Sequence, residues 1–433
     1  MTATSETLLR SNGPVDPMRW TGCPDARPGL RVALICPPLH SHLRAFEALA
    51  AELQSRGHEA LFLTEPGTEV SPRFRNLRLP GNAAPAGGGL WSDIRAGARR
   101  TDRLCRFGQG MLTRAAPDLI LGDQTEPAAG LLAAALGLPM LSVACALPFD
   151  PEPGVPLPFL SWPYDPSEQG LHRNAAGAKV ARLLMSPHRR VIRSWSAHWD
   201  LGPREDFADC LSPILTLSQT VPGLDFPRPD SGSRIAHLGP FRDRSDEVFP
   251  PDIRLDADRP LIYVSLGTLQ GHRMGLLSRI ARACRNLGAQ VLVSHGNALD
   301  DGQAARIPAD WVCSFVPQSA VLSRATLCVT HAGLNTTLEC LAQGVPMLAI
   351  PLTHDQPGVA ARIEGCGAGL SLGRGHRSRR GIEAAIGRLL AEPQFRASAL
   401  TFARDSRRWE GAPGAIDRVE AVMEVPAQRA ALR

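Results

Sequence analysis

The sequence predicts an α/β protein built from two parallel-sheet domains. Short apolar runs alternate with segments whose apolar residues recur at helical spacing, which is the pattern of consecutive βαβ units. The first unit spans residues 31–63, and a second series begins with the apolar run 261–265. Between them, the charged and Pro-containing segment 241–258 has no hydrophobic period and predicts an interdomain linker. A chain of 433 residues is long for one core and suits two domains of about 200 residues each.

The predicted domain boundaries follow from this pattern. Residues 1–28 lack a continuous apolar core and predict a disordered extension. An amino-terminal domain is predicted over residues 29–240 and a carboxyl-terminal domain over residues 259–405, with the linker 241–258 between them. Residues 406–433 are assigned to a terminal helix.

The first half opens as a βαβ unit. Residues 31–36 predict a strand, apolar residues between 43 and 53 predict a helix, and residues 60–63 predict a second strand. No GxGxxG follows the first strand, which argues against a dinucleotide-binding enzyme. Residues 66–92 are rich in Pro, Gly, Arg and Asn and predict a long loop. Residues 148–168 carry seven prolines and predict an irregular pocket wall.

The alternation continues along the rest of the chain. Further strands are predicted at residues 117–121, 139–145, 214–217, 235–238, 290–294, 325–329 and 347–350, and helices at 175–199, 274–287, 381–390 and 397–423.

Composition excludes several classes of function. The net charge of +5 is too diffuse for a nucleic-acid footprint, and Lys179 is the only lysine among the basic residues. Ten cysteines without a CxxC pair predict buried free thiols of a reducing cytosol, and they do not suggest a disulfide framework or a zinc site. No apolar run is long enough for a membrane span, and the amino terminus has no signal-peptide core. These features predict a cytoplasmic protein that does not bind nucleic acid.

One helical segment has two interpretations. Residues 175–199 contain Arg189, Arg190, Arg193 and the pair Trp195 and Trp199, interleaved with apolar residues. A basic helix with interfacial aromatic residues is typical of contact with an anionic membrane surface. The alternative is a partly buried helix with a solvated Arg face.

The strand at 325–329 ends in the segment of the chain that most resembles a ligand site. It leads through His331 and Gly333 into a helical pattern, so the sequence predicts a strand, a tight turn and a helix start. Gly333 allows close approach of a ligand, and Asn335 or Thr336 is predicted as the helix cap. The free N–H groups of a first helical turn favour an anion such as a diphosphate.

Polar residues also follow two other strands of the second half. In an open α/β sheet, ligands bind at the carboxyl ends of the strands. A small polar turn after the strand at 261–265 predicts a second phosphate contact. The strand at 261–265 ends in Ser265 and is followed by Gly267 and Thr268. The loop after the strand at 347–350 contains Asp355 and Gln356.

The spacing of these residues resembles the donor-binding signature of the nucleotide-sugar glycosyltransferases that act on small lipophilic acceptors. The segments that carry the resemblance are Phe315, Pro317 and Gln318, then HAGLNTTLE at 331–339, then Asp355 and Gln356. In that family a Trp stacks on the base where this chain has Phe315, and bacterial relatives often have Gly where it has Ala332. The resemblance implies two Rossmann-like domains facing across a cleft, the glycosyltransferase B fold, with the last helix returning to the first domain.

The resemblance also implies roles for individual residues. The diphosphate is assigned to His331, Asn335 and Thr336 beside Gly333, the ribose to Glu339, the nucleoside to Phe315, Val316 and Gln318, and the sugar hydroxyls to Asp355 and Gln356. His354, adjacent to Asp355, is a further candidate for the sugar.

An acceptor hydroxyl must be deprotonated for such a transfer. A histidine after the first strand, oriented by a carboxylate from a neighbouring strand end, would serve as the base. His42 and Asp123 lie at such positions, and the family resemblance places the base and its orienting Asp there. His40 is the rival base. A DxD string at Asp256 and Asp258 lies inside the linker, and we predict no metal and no cofactor, with the leaving diphosphate held by the helix start.

A closer resemblance extends over residues 30–425. DQTEPAAG at 123–130, LDFPR at 224–228, SLGTLQGHR at 265–273 and DQPGVAARI at 355–363 are similar to the bacterial zeaxanthin glucosyltransferases of carotenoid pathways. The resemblance implies inverting transfer of glucose from UDP-glucose to the hydroxyls of this carotenoid acceptor, giving the mono- and then the diglucoside. Because the acceptor is long and apolar, we expect peripheral contact of the first domain with the inner face of the membrane.

Two alternatives remain open at this stage. The chain is a transferase for another hydroxylated lipophilic acceptor, such as a different carotenoid, a macrolide or a sterol. Otherwise it is a non-catalytic homologue that only binds carotenoid.

Overall fold

A computed structural model describes residues 29–82, 89–242 and 248–424. The predicted extension 1–28 lies outside the described residues, as do parts of the predicted linker and of the terminal segment. The elements up to the end of the first sheet are β1 Arg31–Ile35, α1 His40–Ser55, β2 Glu59–Thr64, β3 Arg75–Arg78, α2 Leu90–Ala115, β4 Leu119–Asp123, α3 Ala128–Leu136, β5 Met140–Ala144, α4 Glu168–Leu184, α5 Ser186–His198, β6 Thr216–Ser218 and β7 Ile235–His237.

The elements of the second half follow the same alternation. They are β8 Leu261–Ser265, α6 Gly267–Gln270, α7 Met274–Asn286, β9 Gln290–Ser294, α8 Asp301–Ala304, β10 Trp311–Cys313, α9 Gln318–Leu322, β11 Leu327–Thr330, α10 Leu334–Ala342, β12 Met347–Ala349, α11 Gln356–Gly365, β13 Gly369–Ser371, α12 Arg379–Ala391, α13 Pro393–Asp405 and α14 Gly411–Glu424.

The strands form two parallel sheets. The first has the order β3-β2-β1-β4-β5-β6-β7 and the second the order β10-β9-β8-β11-β12-β13. Every pair of neighbouring strands is parallel. Helices cover both faces of a parallel sheet, and this explains why strands such as β4 and β8 are buried at every residue. The predicted α/β class with two parallel sheets is confirmed.

Each sheet reverses its strand order at one point. In the first sheet the chain runs outward from β1 through β2 and β3, then returns to start again at β4 beside β1. In the second sheet the same reversal separates β8 from β11. A crevice opens at the carboxyl ends of the strands at such a reversal, so each sheet has one expected ligand position.

The last helix packs on the first sheet. Ile416 and Val419 of α14 are buried in the same apolar cluster as Phe46 and Leu49 of α1. Arg56 at the end of α1 donates to Asp417 at 2.6 Å and to Glu420 at 3.0 Å. The chain therefore closes the core of its first sheet with its last described helix.

Three predictions about elements were wrong. The loop predicted at 66–92 contains β3 and the start of α2; β3 is a polar edge strand, so it carries no apolar run to reveal it. The helix predicted at 175–199 is interrupted at Met185, just before Pro187, and forms α4 and α5. The helix predicted at 397–423 is interrupted between α13 and α14.

A buried ion cluster joins the two halves of the chain. Asp225, after β6, accepts from Arg228 Nε at 2.8 Å and from Arg362 Nε of α11 at 2.7 Å. All three side chains are almost completely buried. Arg362 also stacks over the ring of Phe226, 4.3 Å from its centroid. The three residues of the cluster lie in the segments 224–228 and 355–363, which resemble glucosyltransferase sequences.

The irregular segment 148–168 is held by the same cluster. Arg228 donates to the carbonyl oxygens of Asp150 at 2.7 Å and Pro148 at 3.1 Å. The N–H of Gly358 in α11 donates to the carbonyl of Pro158 at 3.0 Å, and a Cβ at that glycine would lie 2.1 Å from the same oxygen. The wall predicted from the prolines is therefore attached to a helix of the second half.

No helix among the described residues is both long enough and apolar enough to cross a membrane. The nine described cysteines are free thiols, seven of them buried, and Cys23 lies outside the described residues.

Candidate functional site

The predicted catalytic and phosphate residues lie at the two strand-order reversals. His42 lies in the first turn of α1, directly after β1, and Asp123 is the last residue of the neighbouring β4. In the second sheet, Ser265 ends β8 and His331 follows the neighbouring β11. The topology thus brings together residues that are far apart in the chain.

His42 and Asp123 form a buried hydrogen-bonded pair. The distance from His42 Nδ1 to Asp123 Oδ2 is 2.6 Å, and His42 is only 8 % exposed. The backbone N–H and the hydroxyl of Thr125 donate to the other carboxylate oxygen at 2.8 and 2.6 Å. Because the carboxylate only accepts, Nδ1 carries the proton and Nε2 is left as the basic nitrogen. His40, the rival base, is exposed at the first position of α1.

The pair shifts the pKa of both partners. Burial alone lowers the pKa of His42, but the charge and hydrogen bond of Asp123 outweigh it and raise the pKa above its ordinary value. Burial raises the pKa of Asp123, but His42 and Thr125 outweigh it and lower the pKa. The arrangement favours an ionised carboxylate beside an imidazole that accepts a proton readily.

Asp355 of the second half interacts electrostatically with His42 of this pair. The charge of Asp355 raises the pKa of His42. Burial raises the pKa of Asp355, and the charge of His42 lowers it by less, so the pKa of Asp355 is raised overall. The residue predicted to hold the sugar and the residue predicted to act as base therefore lie within electrostatic reach across the cleft.

One group of side chains among the described residues is close enough to hold a metal ion: His42, Asp123 and Cys145. Burial, followed by the charge of Asp123, raises the pKa of the Cys145 thiol well above its ordinary value. A thiol binds metal as the thiolate, so this cysteine, held in its neutral form, is a poor ligand here. In the DxD string, Asp256 Oδ1 accepts from the N–H of Asp258 at 3.0 Å, which is a turn.

The turn between β11 and α10 is shaped by close contacts to the ring of His331. A Cβ at Gly333 would lie 2.6 Å from Nε2 of that ring, and a Cβ at Gly267 would lie 2.7 Å from it. Gly267 has φ +71°, and Ala332 adopts the left-handed region at φ +64°. These two glycines let the backbone of both loops close around His331.

The predicted cap of α10 was wrong. The helix begins at Leu334, its cap is Gly333, and that cap has no side-chain hydrogen bond. Asn335 and Thr336 are the second and third residues of the helix. They were mistaken for caps because both residue types favour that position. A glycine cap leaves the first-turn N–H groups available, which suits an anion better than a side-chain cap does.

His331 is neutral at physiological pH. Burial lowers the pKa of His331 to about 4, a shift that a hydrogen bond with the backbone of Ser265 opposes. Before a ligand binds the ring is therefore neutral, and its N–H can donate a hydrogen bond to a diphosphate. Next to it, Ser265 Oγ accepts from the N–H of Gly267 at 3.4 Å, and Thr268 lies in the short helix α6.

Gln318, predicted to hold the nucleoside, and Glu339, predicted to hold the ribose, belong to one hydrogen-bonded group. Gln318 Nε2 donates to Glu339 Oε2 at 2.8 Å and approaches Thr336 Oγ1 at 3.4 Å. Arg242, at the start of the linker, pairs with the other oxygen of Glu339 at 2.7 Å. A ribose hydroxyl that binds Glu339 would therefore meet a carboxylate that is already oriented.

Tyr263, which the sequence did not single out, also contacts this group. Tyr263 of β8 is 1 % exposed, and its hydroxyl donates to Gln318 Oε1 at 3.1 Å. Nothing in the local sequence distinguishes Tyr263 from a core aromatic residue. The contact between Tyr263 and Gln318 becomes visible only when the structure places β8 beside the start of α9.

Phe315 follows β10, with 58 % of its surface exposed, and Val316 beside it is partly buried. An exposed aromatic face at this position is free to stack on a base.

The loop predicted to hold the sugar is internally braced. Gln356 Oε1 accepts from the N–H groups of Leu352 at 2.7 Å and Thr353 at 2.8 Å, so its oxygen serves the loop. Its amide nitrogen lies 3.3 Å from Thr353 Oγ1 and is the atom left for a ligand. His354 is exposed in the left-handed region at φ +55°. Asp355 is the residue of this loop best placed to contact a ligand.

A second missed residue orders the pocket wall. Gln124, next to Asp123, donates to the carbonyl of Leu147 at 2.8 Å and accepts from the N–H of Phe149 at 2.9 Å. Its place in the DQTEPAAG segment was the available signal.

Comparison with known proteins places the chain among sugar transferases. Residues 241–408 match the family described as UDP-glucoronosyl and UDP-glucosyl transferase. The chain is 39% identical over 363 residues to the zeaxanthin glucosyltransferase of Pseudescherichia vulneris, an alignment covering 79% of this chain and 86% of that protein. It is 40% identical over 352 residues to the zeaxanthin glucosyltransferase of Pantoea ananas, covering 76% and 82%.

Solved structures share the fold. The glycotransferase of kitacinnamycin superposes with a TM-score of 0.72 at 20% identity, covering 91% of this chain and 98% of that one. This likeness confirms the predicted glycosyltransferase B fold with its two Rossmann-like sheets. The extent of similarity to the two zeaxanthin glucosyltransferases, with the family match over residues 241–408, shows that the chain belongs to the family of UDP-glucuronosyl and UDP-glucosyl transferases.

Proposed function

We propose that the chain transfers glucose from UDP-glucose to the hydroxyl groups of zeaxanthin, with inversion at the anomeric carbon. The observation that carries the proposal is the buried His42–Asp123 pair, whose histidine also responds to the charge of Asp355 in the second half. The acceptor assignment is supported by two relatives that are named for this reaction and are about 40% identical.

The acceptor hydroxyl approaches Nε2 of His42, which takes its proton as the oxygen attacks the anomeric carbon. Asp123 holds the imidazole in the tautomer with Nδ1 protonated and stabilises the imidazolium that forms. The bond to the diphosphate breaks on the opposite face of the sugar, so one displacement inverts that carbon. Two successive transfers to the two ends of the acceptor would give the diglucoside.

The donor is held by the second half of the chain. The N–H groups of the first turn of α10, with Asn335, Thr336 and neutral His331, receive the diphosphate as its negative charge grows. Gln318 and Glu339 hold the nucleoside, Phe315 stacks on the base, and Asp355 binds sugar hydroxyls. In this scheme the leaving group is stabilised by hydrogen-bond donors of the protein, so we propose no metal and no further cofactor.

The acceptor also bears on where the enzyme works. Zeaxanthin is long and apolar, and its transfer through water would expose that surface at about 25 cal/mol per Å². We therefore include in the proposal a peripheral contact between the first domain and the inner face of the membrane.

A product assay tests the reaction. The purified chain is incubated with UDP-glucose and zeaxanthin in detergent micelles containing EDTA, and the products are separated by chromatography. We expect mono- and diglucoside, and a loss of at least about 100-fold in kcat for His42→Ala. His40→Ala is the matched control, because it removes the exposed histidine of the same helical turn, and it should retain activity.

Each failure has a distinct meaning. If no glucoside forms while titration calorimetry still detects UDP binding, the acceptor assignment is wrong, and other hydroxylated lipids should be screened. If UDP-glucose is inert and dTDP-glucose is used as the donor, the assignment of uracil as the nucleobase of the donor is wrong. If neither UDP nor dTDP binds, the chain is not a transferase of this kind.

A further inference from the structure

The start of the linker is anchored in the first sheet. Phe241 is buried in the apolar cluster of that sheet, and its N–H donates to Gln219 Oε1 at 2.9 Å. Gln219 follows β6 and is itself buried. Its N–H donates to the carbonyl of Ala144 at 3.2 Å, and its amide nitrogen donates to the carbonyl of Cys145 at 3.1 Å. The linker therefore leaves the first sheet from a fixed point at the carboxyl end of β5.

Arg242, the next residue after Phe241, reaches the second half of the chain. Its Nη1 lies 2.7 Å from Glu339 Oε1 of α10, and the side chain of Glu339 is mostly buried. The other oxygen of this carboxylate accepts from Gln318 Nε2 at 2.8 Å. Two donors from distant parts of the chain, one on each oxygen, therefore fix the plane of the carboxylate that is predicted to hold the ribose.

This arrangement favours a ribose as the ligand of Glu339. A carboxylate oxygen has two lone pairs, so an oxygen that accepts from a side chain can also accept from a ligand hydroxyl. The adjacent 2′ and 3′ hydroxyls of a ribose can donate to the two oxygens of one carboxylate. A carboxylate that rotates freely loses entropy when it binds such a diol, whereas one held at both oxygens is preorganised.

We propose that Arg242, anchored through Gln219, is a positioning residue that orients Glu339 toward the ribose hydroxyls of the donor. Through this contact the linker takes part in recognising a nucleotide whose other predicted contacts lie in the second half. The contact adds to the preference of the site for a nucleotide that carries both ribose hydroxyls. The inference rests on the proposed function for the binding of a uridine nucleotide at Glu339, and it does not depend on the acceptor.

Titration calorimetry of the full chain tests this role without any reaction. It compares UDP with 2′,3′-dideoxy-UDP, which lacks both hydroxyls. Arg242→Met keeps an extended side chain and removes its donors, so we expect UDP to bind about 10-fold more weakly, and the dideoxy ligand less than about 2-fold more weakly. Arg254→Met is the control, because Arg254 is an exposed arginine of the same linker, and it should leave both affinities unchanged.

Two results with Arg242→Met would overturn the inference. Tighter binding of UDP would show that Arg242 competes with the ribose for Glu339. An equal loss of affinity for both ligands would show that the guanidinium acts only as a positive charge near the diphosphate.

Gln219→Leu tests the anchor. It removes the hydrogen bonds to Phe241 and Cys145, and we expect it to reduce the preference for UDP over the dideoxy ligand. Combined with Arg242→Met it should cause no further loss of that preference, and additive losses would show that Gln219 does not act through Arg242. Binding is measured because Cys145 Sγ lies within 4.8 Å of side-chain atoms of His42 and Asp123, so turnover would report on both sites. If Gln219→Leu does not fold, Arg242→Met alone decides.

The outcomes separate this inference from the proposed function. UDP binding with the expected change of preference, but without glucoside formation, would leave the role of Arg242 standing and refute the proposed acceptor. UDP binding by the native chain that Arg242→Met leaves unchanged would refute this inference alone. A native chain that binds neither ligand would refute both.

Discussion

The pair formed by His42 and Asp123 shows how burial and charge compete at one residue. Taking an imidazole out of water favours its neutral form, whereas an adjacent carboxylate favours the cation. The carboxylate wins here, since the pKa of His42 is raised and that of Asp123 is lowered. A base must be neutral to accept a proton, so this pKa sets the acid side of the pH profile.

We expect kcat/KM to fall as pH drops through the raised pKa of His42. Asp123→Asn removes the charge that raises this pKa, so the acid limb should move to lower pH while the rate at the plateau falls at least about 100-fold. The measurement is kcat/KM over about pH 5 to 9 with the micellar acceptor. UDP affinity should not change, because Asp123 is not in the donor group. An acid limb that stays in place would show that another group sets it.

Tyr263 is predicted to position Gln318. The hydroxyl holds the side-chain oxygen of Gln318 and so directs its amide nitrogen to Glu339. Tyr263→Phe keeps the ring in the core but leaves that oxygen without its donor. We expect UDP to bind about 3- to 10-fold more weakly, measured by calorimetry.

The control for Tyr263→Phe is the other tyrosine of the chain. Tyr164 packs against Phe226 away from the donor group, and Tyr164→Phe should leave UDP affinity unchanged. A double-mutant cycle with Gln318→Ala distinguishes positioning from general weakening of the fold. The two effects on affinity should be strongly non-additive, and additive effects would contradict the assignment.

At the scale of elements, the segments 224–228 and 355–363 belong to one structural unit. They were similar to transferase sequences, yet much of their content is structural, because Asp225, Arg228 and Arg362 hold the pocket wall against α11. The helix α11 begins directly after Asp355, so the same cluster fixes the end of the loop that carries Asp355.

Asp225→Ala should be strongly destabilising. It leaves the two buried guanidinium groups of Arg228 and Arg362 without their carboxylate, and breaking such a buried pair costs about 3 to 5 kcal/mol of unfolding free energy. The measurement is chemical denaturation. Glu392→Ala, which removes the partner of Arg388 in an exposed pair, is the control and should leave the midpoint unchanged. A small effect of Asp225→Ala would show that the arginines find other partners.

At the scale of the whole molecule, the fold is closed by a helix from the far end of the chain. The side chains of α14 complete the core beside α1. Because α14 follows the whole second sheet in the sequence, the first sheet is packed partly by residues from the end of the chain. Stability of the first domain therefore depends on residues more than 350 positions away, as the ion pairs of Arg56 with Asp417 and Glu420 illustrate.

Val419→Asp tests this closure. Val419 is fully buried between α14 and α1, and an unpaired carboxylate there should cost about 3 kcal/mol or more. Ala421→Asp introduces the same group two residues further on, at an exposed position of the same helix, and should be nearly neutral. Thermal unfolding measures both. Equal midpoints for the two variants would mean that the packing of α14 contributes little to stability.

Local features of the chain were predictable because they depend on short-range geometry. Strands buried on both faces read as apolar runs, as in β8 and β11, and the strand, turn and helix start around Gly333 follow from local residue types. The polar edge strand β3 and the interruption at Met185 were missed because neither leaves a periodic signal. The assigned roles of the donor residues and the domain boundaries remain predictions.

The sequence by itself determined the α/β class, the two-sheet organisation and the resemblance of residues 331–356 to a nucleotide-sugar site. Only the tertiary structure decided that His42, and not His40, meets Asp123, and that the hydroxyl of Tyr263 holds Gln318. The physical reason is range. Periodicity and turn chemistry act over a few residues, whereas each of these contacts joins strands and helices whose proximity is set by sheet order and packing.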